Sequence, residues 1–414
     1  MEDQRIVEFG KEIDRIRKSV EDKLGKEDVD YIKRVDRFSK TMEVAGRTLI
    51  HFSITPVGFF AGVGALWLHK QLQATEVGHT ALHGAFDKLP DADKYNSKTY
   101  KWAIPIDEES WRYVHNVRHH QYTNIAGKDP DIHFGPIRWN EHTPYNEETH
   151  PNQVRYMKML MAHFTAGINI HVTGLADHLE GNGRPEKYDF IDEATPATLR
   201  ESLKRVLRSF GPYYGKEFIL YPALAGPMFW KVLLGNALTE VMRDAYSAAT
   251  IYVGHIGDDV ADYEEGTKAG SRANWYVMQA EGTANFEVPL PVSILCGALD
   301  HQIEHHLFPK FPTNRLREIA PAVKAACEKY GVKYTTGSWR SRLKKAFDRA
   351  RQLSRPDVTS DHERTSPSTS TSTSTSTSTS TSTSTSTSTS PSTSTSTSTS
   401  PSTSTSTSMA RPAA

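Results

Sequence analysis

The sequence has few cysteines and no excess of charge of either sign. Its two cysteines, Cys296 and Cys327, are too few for a disulfide framework or a cysteine-rich metal site. Lysine plus arginine equals aspartate plus glutamate at 49 each, so the overall charge does not favour nucleic acid as a partner. Residues 1–40 are charged throughout and contain no apolar stretch of the kind found in signal peptides. We therefore expect a reducing environment and no nucleic-acid function.

Three common redox motifs are also missing from the sequence. It contains no His-Pro-Gly-Gly haem-binding motif, no glycine-rich dinucleotide fingerprint and no cysteine set for an iron–sulfur cluster. Any electrons that this chain uses are therefore expected to come from a separate protein.

Two terminal regions differ in composition from the rest of the chain. Residues 365–408 are almost entirely alternating Ser and Thr, which cannot bury enough apolar surface to offset the entropy lost on ordering. We predict a disordered Ser/Thr-rich tail over residues 351–414. Residues 1–47 are highly charged with apolar residues at helical spacing, which predicts an amphipathic N-terminal helical segment. The apolar residues of this pattern are Ile13, Ile16, Val20 and Leu24.

The remaining region, residues 48–350, is predicted to be a membrane domain. Residues 48–68 carry no Asp, Glu, Lys or Arg, and a bilayer-crossing helix needs roughly 20 apolar residues. Three weaker candidates follow at 157–175, 218–230 and 232–256. We predict an all-α integral membrane helical bundle with about four transmembrane helices and a cytosolic helical cap that holds the metal site.

The chain becomes strongly basic after His306. By the positive-inside rule, this stretch and the basic N-terminal segment place both termini on the cytoplasmic side of a membrane. The basic face is predicted to bind an acidic electron-transfer partner or the phosphates of a CoA head group. A solvated helix face near anionic lipid is the alternative. The cations are Arg315, Arg317, Lys324, Lys329, Lys333, Arg340, Arg342, Lys344 and Lys345.

Histidine is the residue that the chain has in excess, with 18 copies, several of them clustered. Imidazoles four residues apart share one face of a helix and can converge on one metal ion. A third imidazole, about 100° further round the helix, can reach a second ion. Seven imidazoles exceed the needs of one ion, and a nitrogen-rich set without thiolates favours iron over structural zinc. The clusters are His79 and His83; His115, His119 and His120; and Gln302, His305 and His306.

The three clusters together resemble the histidine boxes of the membrane fatty-acid desaturases. The resemblance covers roughly residues 2–336 and is closest to actinobacterial acyl-CoA desaturases, which share the phrases WYVMQ at 275–279, ANF at 284–286 and HQIEHH at 301–306. It implies two iron ions held by the seven box histidines and by His255, which matches a family histidine outside the boxes. A buried, hydrogen-bonded structural histidine is the alternative for His255.

Four further residues have two possible roles each. Gln302 replaces the histidine of other family branches, so Gln302 and His301 are expected either to bind metal or to contact the ligands. His171 and His178 lack box spacing and are interpreted as structural, with the substrate channel as the alternative.

The resemblance implies a reaction and its partners. The expected reaction introduces a cis double bond into an acyl-CoA or acyl-lipid, consuming O₂ and two external electrons, and carbon 9 is one option for its position. The implied electron donor is a separate NAD(P)H-dependent reductase or ferredoxin-like protein, and the implied location is a bacterial cell membrane. No catalytic residue is expected beyond the metal ligands. The alternatives are a di-iron membrane hydroxylase or ketolase, and a non-catalytic membrane metal-binding protein.

Overall fold

The described residues of the computed structural model, 3–180 and 195–356, form a helical fold. Within these two ranges the strand-like pairings are two isolated bridges, Ile125 with Tyr263 and Glu287 with Ser338. The predicted all-α class is therefore confirmed. The predicted tail lies outside the described residues from residue 357 onward.

The α-helices differ greatly in length, and the longest are α2 and α12, with 27 residues each. In chain order they are α1 (Gln4–Glu21), α2 (Lys26–Phe52), α3 (Pro56–Leu72), α4 (Thr80–Leu82), α5 (Glu108–Trp111), α6 (His120–Tyr122), α7 (Gln153–Ala162), α8 (Phe164–Val172), α9 (Leu175–Glu180), α10 (Pro196–Gly215), α11 (Tyr221–Leu224), α12 (Phe229–His255), α13 (Arg272–Glu281), α14 (Leu290–Cys296), α15 (Gln302–Leu307), α16 (Thr313–Tyr330) and α17 (Trp339–Gln352).

Several helices are joined by segments with a different helical winding. The π-helical segments are Gln73–His79, Arg112–His119 and Lys216–Leu220. Segments of this kind are frequent at functional sites, and the first two carry histidines of the first and second boxes. The 3₁₀ turns are Asp93–Tyr95, Pro130–His133, His150–Asn152, Gly226–Met228 and Leu299–His301.

The helices α2 and α3 form an antiparallel pair, so the prediction of one helix over residues 48–68 is wrong. Helix α2 ends at Phe52, and α3 begins at Pro56 after Thr55, whose hydroxyl accepts a hydrogen bond from the Gly58 amide. The physical reason is Pro56, because proline has no N–H to donate and disfavours helical geometry in the residue before it. The two helices approach closely at Gly62, where a Cβ would lie 2.8 Å from the Leu49 Cβ.

Of the other three predicted spans, two differ from the observed helices. Residues 157–175 are divided between α7 and α8 by His163, which has non-helical backbone angles. Residues 218–230 cross a π-helical segment, α11 and a 3₁₀ turn. Residues 232–256 lie almost entirely within α12. Over residues 3–180 and 195–356, no helix is both long enough and apolar enough to cross a membrane.

The N-terminal helix α1 packs against the helices of the third histidine box. Its apolar residues Phe9, Ile13, Ile16 and Val20 are buried in one cluster with Ile303 and Leu307 of α15 and Leu316 of α16. Within the described part of residues 1–47 the structure has two helices, α1 and the first part of α2, and the apolar stripe of α1 contacts the protein core.

Most of the basic residues in α16 and α17 are neutralised within the protein. Arg315 donates to Asp28 at 2.7 Å, and Lys345 donates to Asp258 at 3.0 Å. Arg342 is fully buried and bonds to Asp259. Pairing of this kind removes much of the free positive charge on which the predicted docking face depends.

Candidate metal centre

The fold brings the eight predicted histidines together, although they come from four distant parts of the chain. The ligand nitrogens of His79, His83, His115 and His305 lie within 4.8 Å of one another. Those of His119, His255 and His306 form a second group by the same measure. These two groups are compatible with a metal site that holds two ions.

The first box lies at the junction of a π-helical segment and α4. The Nε2 atoms of His79 and His83 are 3.2 Å apart, because a separation of four residues places the rings on one face. The opposite face of this segment buries Val77, Ala81 and Leu82 in an apolar cluster. That burial holds the two imidazoles toward the interior.

The second box has a geometry that an α-helix would not produce. The His120 Nε2 lies 3.3 Å from the His115 Nε2, five residues away. A π-helical segment bonds residue i to residue i+5, so it brings His120 beneath His115. The expected rotation of about 100° for His120 assumed α-helical winding and does not describe this segment. His120 also stacks on His306 with ring centroids 4.4 Å apart, so it lies between the two groups.

The third box is carried by the short helix α15. His305 belongs to the first group and His306 to the second. The Gln302 Nε2 lies 2.6 Å from the His255 Nε2, so Gln302 contacts a predicted ligand. His301 points toward Asp300, with its Nε2 3.4 Å from the carboxylate, and it belongs to neither group.

Two carboxylates that the sequence analysis missed hold histidines of the second box. Asp129 Oδ1 accepts a hydrogen bond from His119 Nδ1 at 2.9 Å, and Asp131 Oδ2 lies 3.1 Å from His115 Nδ1. Burial lowers the pKa of the His119 imidazole, but the charges of Asp129 and Asp131 outweigh burial and raise that pKa to about 9. Each carboxylate leaves the Nε2 atom of its histidine free to bind metal. The sequence signal was Asp-Pro-Asp, ten residues after His119.

The histidine His306 is oriented by uncharged partners. Its Nδ1 lies 3.0 Å from Gln279 Oε1 and 3.1 Å from Thr123 Oγ1. Gln279 is the last residue of the WYVMQ phrase, which indicated the family but no contact with a histidine. Glu304, by contrast, accepts hydrogen bonds from Asn285 and Tyr334 at 2.8 and 2.9 Å. Burial raises the pKa of Glu304 to about 7.

The chemistry of the donor atoms fits a metal site. Within the described residues, the Nε2 atoms of His119, His305 and His306 are buried and have no hydrogen-bond partner. Such atoms are costly to bury unless a ligand or ion satisfies them. Burial and the neighbouring imidazoles lower the pKa values of most of the set well below the usual range, which favours the neutral form that binds metal. These residues are His79, His83, His115, His120, His255, His305 and His306.

A largely apolar cavity opens beside the histidine groups. Its wall includes His79, His115, His119, His255 and His305. The apolar part of the wall comes mainly from the loop after α4, from α5, from the loop after α6 and from α8 and α12. His171 also lines this cavity, as expected if it contacts the substrate channel. His178 is not among the lining residues. The apolar lining residues include Trp102, Ile104, Ile106, Trp111, Ile132, Phe134, Trp139, Phe164, Val172 and Ile251.

Residues 52–338 match the fatty acid desaturase family. This region holds every histidine of the two groups and all the residues that line the cavity. The chain belongs to the fatty acid desaturase family. As a desaturase, it is an oxidoreductase that acts on fatty acids, which excludes the non-catalytic alternative.

Individual desaturases are similar over most of this chain. An NADPH-dependent stearoyl-CoA 9-desaturase from Mycobacterium tuberculosis is 32% identical over 366 residues, covering 86% of this chain and 81% of the relative. An sn-1 linoleoyl-lipid 6-desaturase from Synechocystis is 26% identical, covering 62% of this chain and 70% of the relative. The Delta(5) fatty acid desaturase A of Dictyostelium discoideum is 22% identical, covering 64% and 57%. The predicted resemblance to actinobacterial acyl-CoA desaturases is confirmed.

Proposed function

We propose that this desaturase introduces a cis double bond at carbon 9 of a long-chain acyl-CoA. The reaction removes two hydrogens from adjacent methylenes and reduces one O₂ to two waters, with two electrons and two protons supplied from outside. The observation that carries the proposal is the pair of histidine groups on the wall of an apolar cavity. The similarity to the mycobacterial stearoyl-CoA 9-desaturase supports the substrate class and the position.

The ligand assignment follows the two groups of nitrogens. In this proposal His79, His83, His115 and His305 bind one iron, and His119, His255 and His306 bind the other. His120 completes either set from its position between His115 and His306. Gln302 contacts His255 and orients it. Two bound irons would supply the oxidising power needed to break an unactivated C–H bond.

The residues of this chain orient the ligands and shape the cavity. Asp129 and Asp131 fix the Nδ1 sides of His119 and His115, which directs their Nε2 atoms inward. Apolar walls exclude water from the reacting methylenes and hold the chain at a fixed distance from the histidines. A water-free cavity also protects a strong oxidant from wasteful side reactions.

Electrons and location complete the proposal. The sequence contains no motif for a second redox group, and the mycobacterial relative is named NADPH-dependent. We therefore assign electron delivery to a separate NAD(P)H-dependent reductase or ferredoxin-like protein. Members of the family are generally membrane-associated. We propose that residues 48–350 form the catalytic domain, which is associated with the membrane and contacts its lipid. Both termini lie on the cytoplasmic side of a bacterial cell membrane.

The test is expression of the chain in a bacterial host of known lipid composition. Fatty acids are then analysed by mass spectrometry with double-bond localisation. Loss of two hydrogens with a double bond at carbon 9 supports the proposal. A gain of one oxygen would instead identify the hydroxylase or ketolase alternative, and a double bond at another carbon would overturn the assigned position.

A further inference from the structure

One hydroxyl group on the wall of the cavity is left without a partner. Four hydroxyl-bearing residues line the cavity: Thr75, Thr165, Ser247 and Tyr252. Thr75 donates to backbone carbonyl oxygens, and Thr165 and Ser247 donate to side-chain oxygens across to neighbouring helices. The Tyr252 hydroxyl is buried and has no hydrogen-bond partner among the described residues.

The Tyr252 side chain is held so that its hydroxyl cannot turn toward solvent. The residue is 4% exposed, and its ring packs against Trp139 and Phe164, with centroids 5.0 and 5.8 Å away. It lies on α12 one helical turn before His255, so both side chains extend from the same face toward the cavity. The unpaired hydroxyl is therefore fixed on the cavity wall.

The chemistry of an acyl chain leaves one kind of partner for this hydroxyl. A buried donor without an acceptor is unfavourable, so a phenol at this position points to a ligand that carries an acceptor. The methylenes of an acyl chain cannot accept a hydrogen bond, whereas the carbonyl oxygen at its head can. We propose that the Tyr252 hydroxyl donates a hydrogen bond to the carbonyl oxygen of the acyl thioester.

This assignment rests on the proposed function and gives the bound chain a direction. The carbonyl end lies on the side of the cavity formed by Tyr252, Trp139 and Phe164. The methylenes between the two ends pass the histidine groups.

The test compares two ligands that differ only in the carbonyl oxygen. Stearoyl-CoA and its thioether analogue S-octadecyl-CoA are titrated calorimetrically into the full-length, metal-loaded protein in detergent, without an electron donor so that no turnover occurs. The native protein is expected to prefer the thioester by roughly threefold to tenfold, as for one neutral hydrogen bond. Tyr252→Phe is expected to bind both ligands equally, because it removes only the hydroxyl.

The matched control is Tyr113→Phe, which removes a hydroxyl from a half-exposed residue outside the cavity wall and should keep the native preference. An equal preference in the native protein and in Tyr252→Phe would overturn the inference and indicate that the hydroxyl meets water instead. If the native protein bound neither ligand, the proposed acyl-CoA function would fail, which is a different result.

A second measurement does not depend on any variant. The infrared stretch of a ¹³C-labelled thioester carbonyl is recorded for stearoyl-CoA free and bound to the native protein. Donation from Tyr252 should lower the frequency on binding. A bound carbonyl at the frequency found in an apolar solvent would overturn the inference.

Discussion

Arg317 of α16 donates two hydrogen bonds to the carboxylate of Glu76, at 3.0 and 2.8 Å. Glu76 is fully buried and lies three residues before His79 in the π-helical segment of the first box. Thr313 and Tyr31 also donate to this carboxylate. The bidentate pair therefore ties the segment that carries the first box to the helix that follows the third.

Replacing Arg317 is expected to destabilise the protein strongly. Arg317→Met leaves the Glu76 carboxylate buried without its charge partner, which costs about 3–5 kcal/mol in comparable buried pairs. Denaturant unfolding followed by tryptophan fluorescence measures the change. Lys324→Met is the control, because Lys324 lies on the same helix and is half-exposed, and it should change stability by no more than about 0.5 kcal/mol. Equal effects of the two variants would contradict this account.

The carboxylate of Asp129 is expected to strengthen metal binding through His119. Asp129→Asn keeps the size of the side chain but removes the charge that His119 Nδ1 contacts. Loss of such a partner typically lowers metal affinity about 10- to 100-fold. The measurement is metal content by mass spectrometry after equilibration with a competing chelator. Asp348→Asn, an exposed carboxylate on α17, should retain metal like the native protein, and the idea fails if both variants do.

Because the histidines form two groups, removing one ligand is expected to weaken the binding of one iron ion and not of both. His306→Ala removes a member of the second group and should abolish desaturation while reducing the bound iron by about half. His301→Ala is the matched control from the same segment, because His301 points toward Asp300, and it should keep the native iron content. Iron-to-protein ratios and product analysis give the answer. Equal iron loss in both variants would contradict the assignment.

The contact between α2 and α3 is expected to require glycine at position 62. In Gly62→Ala the new methyl would lie 2.8 Å from the Leu49 Cβ and 2.9 Å from the Ile50 amide nitrogen, so the helices must separate and stability should fall by about 1–3 kcal/mol. Gly64→Ala meets no atom within 4 Å and should be neutral or stabilising by up to about 1 kcal/mol. Melting temperatures compare the pair, and a harmless Gly62→Ala would refute the close contact.

Short-range patterns in the sequence predicted much of this protein. The spacing of His79 and His83 is visible in the sequence because neighbouring turns of one helix bring such residues together. The apolar stripe of α1 is also a local pattern, and it correctly predicted a helix. The family follows from the same local phrases.

The helix boundaries were harder to predict, because an apolar composition does not show whether a segment forms one continuous helix or two. Residues 48–68 are apolar enough to suggest one helix, yet Pro56 divides them. The winding of the second box was also hidden, since nothing local to His115 and His120 distinguishes a π-helical from an α-helical turn.

What the sequence by itself determined is the family, the helical class and the histidines that gather at the centre. Only the tertiary structure decided how those histidines divide into two groups, that Asp129 and Gln279 orient them, that Arg317 pairs with Glu76, and that the Tyr252 hydroxyl is left without a partner. The physical reason is distance along the chain. Contacts within one helical turn follow from local geometry, whereas contacts between residues more than 200 positions apart, such as Glu76 and Arg317, exist only after the helices have packed.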